Sequence, residues 1–166
     1  IISIDTSRAE RLPGVRAVIT GQDCPSVNLG RTVKDRPILA RGKVRYAGEP
    51  VAAVAAEAED IAEEALSLIK VEYEEIPAVF DPLLAMEEGA ALVHEDLLSY
   101  KSLPIKRERP TNILTEKHWK MGDMEAGFRE ADLIYEDTYS TQPVHQGYIE
   151  RREVVVSRDS SGKATF

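Results

Sequence analysis

The chain has one cysteine, Cys24, among its 166 residues. A disulfide framework within the chain is therefore excluded, and a reducing, cytoplasmic compartment is favoured. Cys24 has no histidine near it in the sequence. Because thiol reactivity depends on the surroundings of the sulfur, an incidental thiol is a better interpretation than a nucleophile. No apolar run approaches the roughly 20 residues that a membrane span needs, so a membrane partner is not expected.

Positive charge is also scarce, and this limits the class of partner. The formal net charge is −8 and the isoelectric point about 5.0. The electrostatic field of a negatively charged protein repels phosphate and anionic lipid. Nucleic acid and membrane surfaces are therefore not expected as partners. One basic cluster, Lys106, Arg107 and Arg109 around Glu108, could bind an anion. A solvated run of mixed charge is the better interpretation.

Motifs that carry chemistry are missing as well. The sequence has no GxGxxG, no P-loop, no CxxC pair and no HExxH. Its histidines, His94, His118 and His145, share no spacing typical of metal ligands. His145 follows Pro143 in a break between predicted strands, but a structural histidine is favoured there over a catalytic base.

Glu49 is the most interesting carboxylate in the sequence. Gly48 and Pro50 flank it and restrict its backbone, which could aim the side chain at a ligand. The alternative, a turn position that tolerates any polar residue, is the stronger one.

The most regular stretch of the chain covers residues 43–76. Residues 51–56 (VAAVAA) are apolar on both faces, which is typical of a strand in a parallel sheet. Residues 58–70 then follow a helical period, with Ile61, Leu68 and Ile69 on the face expected to be buried. Residues 71–76 alternate as a second strand. Strand, helix and strand predict a βαβ unit with a right-handed crossover, and therefore an α/β fold.

Weaker patterns flank this unit. The sequence predicts further strands over 1–6, 15–20, 113–120, 133–142 and 153–157, and a returning strand over 163–166. Helices are predicted over 81–89 and 124–131, with Asp81 and Asp123 as N-caps. Turns are predicted over 9–11, with Ser7 as N-cap, and over 159–162, and residues 21–42 form an irregular connection. Residues 94–112 have mixed charge without apolar periodicity and are predicted to link domains over 1–93 and 113–166.

Both ends of the chain alternate like strands. Residues 1–5 alternate from the first position, and residues 163–166 enter a strand. Natural domains usually begin and end in polar, poorly ordered segments, so we expect a piece of a longer polypeptide. An unpaired sheet edge in 113–166 would favour pairing with another chain, including self-association.

Three segments together resemble the molybdenum-cofactor-binding large subunit of the xanthine dehydrogenase and aldehyde oxidase family. They are residues 2–6 (ISIDT) with 12–15 (LPGV), residues 44–54 (VRYAGEPVAAV), and residues 71–79 (VEYEEIPAV) with 81–82 (DP). The first resembles the opening of the family's α/β hammerhead domain, and the other two resemble its signature. Residues 122–132, 136–139 and 145–150 resemble the start of the adjoining molybdopterin-binding domain, with Arg151 where the family has proline.

The resemblance implies a hydroxylase fragment. Family members insert a water-derived oxygen at a carbon of an N-heterocycle or an aldehyde, using molybdenum–molybdopterin, with iron–sulfur clusters and FAD on partner domains or subunits. The family's cofactor-contacting segments and its catalytic glutamate have no counterpart in this sequence. We therefore assign no catalytic, cofactor-binding or metal residue to the chain.

Two functions of different class are compatible with the sequence and its resemblance. The first is a non-catalytic portion of a molybdenum hydroxylase, which shapes substrate access and contacts the rest of its subunit and the iron–sulfur and flavin subunits. The alternative is a free-standing α/β interaction module that keeps the fold without the chemistry.

Overall fold

A computed structural model describes residues 1–101, 108–150 and 153–165. Lys106, Arg107 and Arg151 lie outside the described residues. The chain forms two compact units, Ile1–Trp119 and Lys120–Phe166, which we call unit 1 and unit 2. Among the described residues, no helix has both the length and the apolar character that crossing a membrane requires.

Unit 1 contains two strand–helix–strand halves that pair with each other. The first half is β1 (Ser3–Asp5), α1 (Ser7–Glu10) and β2 (Val15–Thr20). Two short strands, β3 (Asn28–Leu29) and β4 (Arg36–Pro37), lie in the connection. The second half is β5 (Ala52–Ala56), α2 (Glu59–Leu68) and β6 (Lys70–Glu72). β1 pairs antiparallel with β6, β2 with β5, and β3 with β4, each pair forming a separate two-stranded sheet.

The predicted order of strand, helix and strand over residues 51–76 is confirmed, and so is the mixed helix and strand fold class. The predicted parallel sheet is wrong, because β5 and β6 belong to different sheets. An apolar run indicates that a strand is covered, but it does not identify the strand that accepts its hydrogen bonds. Here β2 is that partner, with Val18 opposite Val54.

Small residues allow the two helices to pack closely. Ala9 of α1 and Ala65 of α2 are fully buried, and the two helices contact each other. In the turn between α1 and β2, Gly14 has a φ of +89°, and a Cβ there would lie 2.6 Å from Cδ1 of Ile61. The larger residues expected in the core, Ile61, Leu68 and Ile69, are only half-buried.

Two predicted caps in unit 1 lie one or more residues from the observed ones. Asp81 makes cap-like hydrogen bonds, since its Oδ1 accepts the N–H groups of Leu83 at 2.7 Å and Leu84 at 3.2 Å, but the N-cap residue of the turn that follows is Leu83. The helix predicted over 81–89 is reduced to a 3₁₀ turn, Leu84–Met86, because so short a helix gains few hydrogen bonds for its nucleation cost. For α1 the N-cap residue is Thr6 rather than Ser7.

The C-terminal part of the chain contains the predicted helix cap and hairpin turn but not the predicted long strands. Asp123 caps α3 (Met124–Glu130) by accepting the N–H of Ala126 at 3.1 Å, and a hairpin joins β7 (Ser157–Arg158) to β8 (Ala164–Thr165). The described residues show no strand over 113–120, 133–142 or 153–156. Alternation favours an extended backbone, but a strand also needs a neighbour for its hydrogen bonds, and no strand among the described residues pairs with these segments.

Candidate functional site

A tight turn directs Glu49 into unit 1. The N–H of Glu49 donates to the carbonyl of Tyr46 at 3.2 Å, and Gly48 has a φ of +89°. A positive φ at the third position of a four-residue turn is the type II requirement that glycine meets at no steric cost. The side chain of Glu49 is consequently only 5% exposed.

The carboxylate of Glu49 is bound to Arg45 twice. Oε2 accepts the backbone N–H of Arg45 at 2.6 Å, and Oε1 lies 3.5 Å from Nη1 of the guanidinium. The Arg45 side chain is 15% exposed. Glu49 therefore occupies a turn position, as one of the two sequence interpretations expected. Its carboxylate is also fixed in direction, as the other interpretation expected, but its partner is Arg45 rather than a ligand.

A second pair of side chains completes this group. The hydroxyl of Tyr100 lies 3.0 Å from Nδ1 of His94, and the two rings meet edge-on with centroids 5.5 Å apart. The positive charge of Arg45 also acts on Tyr100, whose pKa it lowers. We call Arg45, Glu49, His94 and Tyr100 the polar cluster.

Burial controls the protonation of the cluster. It lowers the pKa of His94, and the positive charge of Arg45 lowers it further, while Asp35 and Glu49 act in the opposite direction. Burial also raises the pKa of Tyr100, against the effect of Arg45. A charged group left without full solvation is disfavoured, so the cluster favours a neutral imidazole and a neutral phenol.

Beside the cluster lies a cavity of about 350 Å³. His94 and Asp35 line it together with apolar side chains such as Phe80 and Leu97. Asn112 on its wall is fully engaged, donating to the carbonyls of Ala85 and Ala91 and accepting the N–H of Val93.

The other candidate residues have local surroundings of their own. His145 is exposed and accepts the N–H of Gly147 at 3.0 Å, which is a local turn contact. His118 is exposed, and Cys24 is a half-buried free thiol. Within the part of the chain that the structure describes, no three His, Cys, Asp or Glu side chains converge as metal ligands.

Two segments of the chain match known protein families. Residues 1–77 match the family described as "Aldehyde oxidase and xanthine dehydrogenase, a/b hammerhead domain". Residues 105–166 match the family described as "Molybdopterin cofactor-binding domain". The chain belongs to the xanthine dehydrogenase and aldehyde oxidase family. The resemblance drawn from the sequence is thereby confirmed.

Relatives in this family are much longer than the chain. A probable xanthine dehydrogenase subunit from Bacillus subtilis (strain 168) is 38% identical over 98% of this chain and 20% of that protein. The nicotinate dehydrogenase large molybdopterin subunit of Eubacterium barkeri is 37% identical over 99% of this chain and 36% of that protein. The solved structure of reconstituted CO dehydrogenase from Oligotropha carboxidovorans is 34% identical, with a TM-score of 0.60 over 80% of this chain and 17% of that one.

Membership of the family raises the question whether unit 2 could hold a molybdopterin. A pterin needs walls and buried hydrogen-bonding groups. Among the described residues from 120 onward, Ala126 is the only one that is not exposed. These residues do not form a cradle by themselves, so we derive no cofactor chemistry from them.

Arg45, Tyr100 and Asn112 were missed by sequence reasoning. The spacing of four residues between Arg45 and Glu49 is a weak signal for an ion pair. Tyr100 and Asn112 carry no local signal. The Tyr100 hydroxyl contacts His94, six residues away, and the Asn112 amide binds main-chain groups of a distant loop.

Proposed function

We propose that the chain supplies the hammerhead domain and the beginning of the cofactor-binding domain of a molybdenum hydroxylase large subunit. In that role it shapes access to the substrate and contacts other parts of the enzyme, and it contributes no catalytic residue of its own. The observation that supports the proposal is the order of the two family matches along one chain. A free-standing interaction module does not account for a second, cofactor-binding family match.

The cofactors and partners are those of the parent enzyme. We propose molybdenum–molybdopterin in the complete large subunit, with iron–sulfur clusters and FAD on partner domains or subunits, in the cytoplasm. A related protein is called a large molybdopterin subunit, which supports an assembly of several chains. Domains over 1–93 and 113–166 with a linker over 94–112 are part of the proposal, and the two family matches support that order.

Elemental analysis and activity assays test this function. The purified chain should hold no stoichiometric molybdenum and should not oxidise purines, aldehydes or nicotinate. A polypeptide that continues the chain with the rest of its large subunit should hold about one molybdenum per chain. Stoichiometric molybdenum on the 166-residue chain alone would overturn the proposal.

Exposed apolar side chains in unit 2 support a contact with other parts of the enzyme. More than three-quarters of the residue surface is exposed for Met121, Leu133, Tyr135, Tyr139, Val144, Ile149 and Val155. Apolar surface exposed on this scale favours a contact with another part of the protein. Sedimentation over a concentration series should show self-association of the chain alone, and the missing part of the subunit should suppress it. A chain that is monomeric at every concentration would contradict this.

A further inference from the structure

The cavity of unit 1 is lined by four stretches of chain that are distant in the sequence. They are Asp35 and residues from 79–85, 93–97 and 111–114. Asn112 holds two of these stretches together, since its side chain donates to the carbonyl of Ala85 and accepts the N–H of Val93. The volume of about 350 Å³ lies within the range of about 300–1,000 Å³ that small-molecule sites occupy. The fold therefore forms a cavity of the size that a small ligand needs.

The charged residues that line this cavity are all acidic. Asp35 and Asp81 belong to its wall, and no lysine or arginine does so among the described residues. His94 adds no positive charge at neutral pH, because burial lowers its pKa. Most of the remaining wall is apolar, with residues such as Phe80 and Leu97. The cavity thus combines apolar walls with negative charge.

The carboxylate of Asp35 has no partner in the part of the chain that the structure describes. It makes no hydrogen bond or ion pair there, although the residue is half-buried. Asp81 differs, because its Oδ1 accepts two main-chain N–H groups. A carboxylate that has lost part of its water without gaining a donor is unfavourable. Asp35 is therefore the acceptor that a ligand can satisfy.

The positive charges that act on His94 do not supply this partner. They are Arg45 and Lys43, and neither of them lines the cavity. Arg45 is paired with Glu49, and Lys43 is paired with Glu95.

We propose that the cavity binds a small organic cation, an ammonium or amidinium group on an apolar body, with Asp35 as the acceptor for the charged group. Such a ligand matches the wall in charge and in polarity, and its N–H donors form charge-assisted hydrogen bonds with a carboxylate. The net charge of −8 attracts cations to the protein. The inference goes beyond the proposed function, which assigns no ligand to unit 1.

Two probes of the same shape separate the effect of charge from apolar contact. Benzylamine is a cation at neutral pH, and benzyl alcohol is its neutral counterpart. In an NMR titration of the chain, benzylamine should shift the amide resonances of Asp35, Val93 and Leu97 in a saturable way. Benzyl alcohol should bind about fivefold more weakly, the effect of one partly solvated ion pair. Equal binding of the two probes, or no saturable shift with either, would overturn the proposal.

Asp35→Asn tests the assigned acceptor. The amide keeps the size of the side chain and removes its charge, so the affinity for benzylamine should fall about fivefold while that for benzyl alcohol is unchanged. The matched control is Glu63→Gln, at an exposed residue of α2. It removes one negative charge elsewhere and should leave both affinities unchanged. An equal loss in the two variants would show that only net charge matters and would overturn the proposal.

Two further measurements decide the matter if Asp35→Asn fails to fold. In the wild-type chain, added salt should weaken the binding of benzylamine but not that of benzyl alcohol, and the same salt dependence for both probes would overturn the proposal. A polypeptide that continues the chain with the rest of its large subunit should still bind benzylamine. Loss of binding there would show that another part of the enzyme fills the cavity, which would also overturn it.

Discussion

Glu49 binds Arg45 at both its main chain and its side chain. One carboxylate oxygen accepts the Arg45 N–H at 2.6 Å, and the other lies 3.5 Å from the guanidinium. The side chains of Arg45 and Glu49 are 15% and 5% exposed. A buried ion pair is weak evidence for net stability, but removal of one partner leaves an uncompensated charge in a place that cannot solvate it.

Glu49→Gln should therefore destabilise unit 1 strongly. The amide can still accept the Arg45 N–H, but the guanidinium loses its counter-charge, and we expect a loss of about 3 kcal/mol in the free energy of unfolding. Urea denaturation measures it. The matched control is Glu57→Gln, in the exposed pair with Arg16, which should cost less than about 1 kcal/mol. Equal losses in the two variants would contradict a special role for Glu49.

Gly14→Ala should destabilise more than Gly89→Ala. The two glycines have nearly the same φ, +89° and +85°, so the backbone strain of an alanine is similar, about 1–2 kcal/mol. At Gly14 a Cβ would also meet Ile61 at 2.6 Å, whereas nothing lies within 4 Å at Gly89. The difference in unfolding free energy between the variants isolates the contact between the turn that precedes β2 and helix α2. Identical values would show that Ile61 moves aside freely.

Asn112→Ala should loosen the loop that contains residues 85–93. The side chain donates to the carbonyls of Ala85 at 3.0 Å and Ala91 at 2.9 Å, and accepts the N–H of Val93 at 3.0 Å. Buried main-chain groups left without a partner cost about 1–3 kcal/mol, and we expect a loss of this size by thermal or urea denaturation.

Limited proteolysis gives a second measurement of the same variant. Residues 94–112 are predicted to be cleaved first in the wild-type chain, and Asn112→Ala should be cleaved there faster. Asn28→Ala, at an exposed asparagine of β3, is the control and should change stability by less than about 0.5 kcal/mol. Early cleavage within 50–76 instead would contradict the placement of the stable core.

The hairpin of unit 2 should be lost in acid through Asp159. Hydrogen bonds from the Ser161 side chain and from the N–H groups of Lys163 and Ser161 hold the pKa of Asp159 below its ordinary value. A lowered pKa stabilises the folded hairpin above the ordinary aspartate value of about 3.9, and this stabilisation is lost as the pH falls through the folded pKa. Cross-strand NMR contacts between Ser157 and Thr165 should disappear over that range.

Asp159→Asn distinguishes this effect from general acid unfolding. The amide oxygen keeps an acceptor that does not titrate, so the hairpin of the variant should be independent of pH in the same range. An acid midpoint equal to that of the wild type would show that another group controls the hairpin.

Local sequence determined the elements whose stabilising contacts lie within a few residues. β2 has the predicted bounds, Val15–Thr20, between Gly14 and Gly21. α3 begins after Asp123, whose side chain reaches only three residues forward. The turn after Asp159 forms for the same reason. The family could also be recognised, because the order of several short segments is a property of the sequence.

Tertiary structure alone decided which strands pair and which side chains are buried. Residues 133–142 alternate as regularly as a strand, yet they form none, because the hydrogen bonds of a strand require a neighbour that alternation does not supply. β5 could have paired with β6 in parallel, but the close packing of α1 on α2 through Ala9 and Ala65 accompanies its pairing with β2. The polar cluster is of the same kind. The charge of Arg45 acts on His94 and Tyr100 only in the folded chain, because these residues are about fifty positions apart in the sequence.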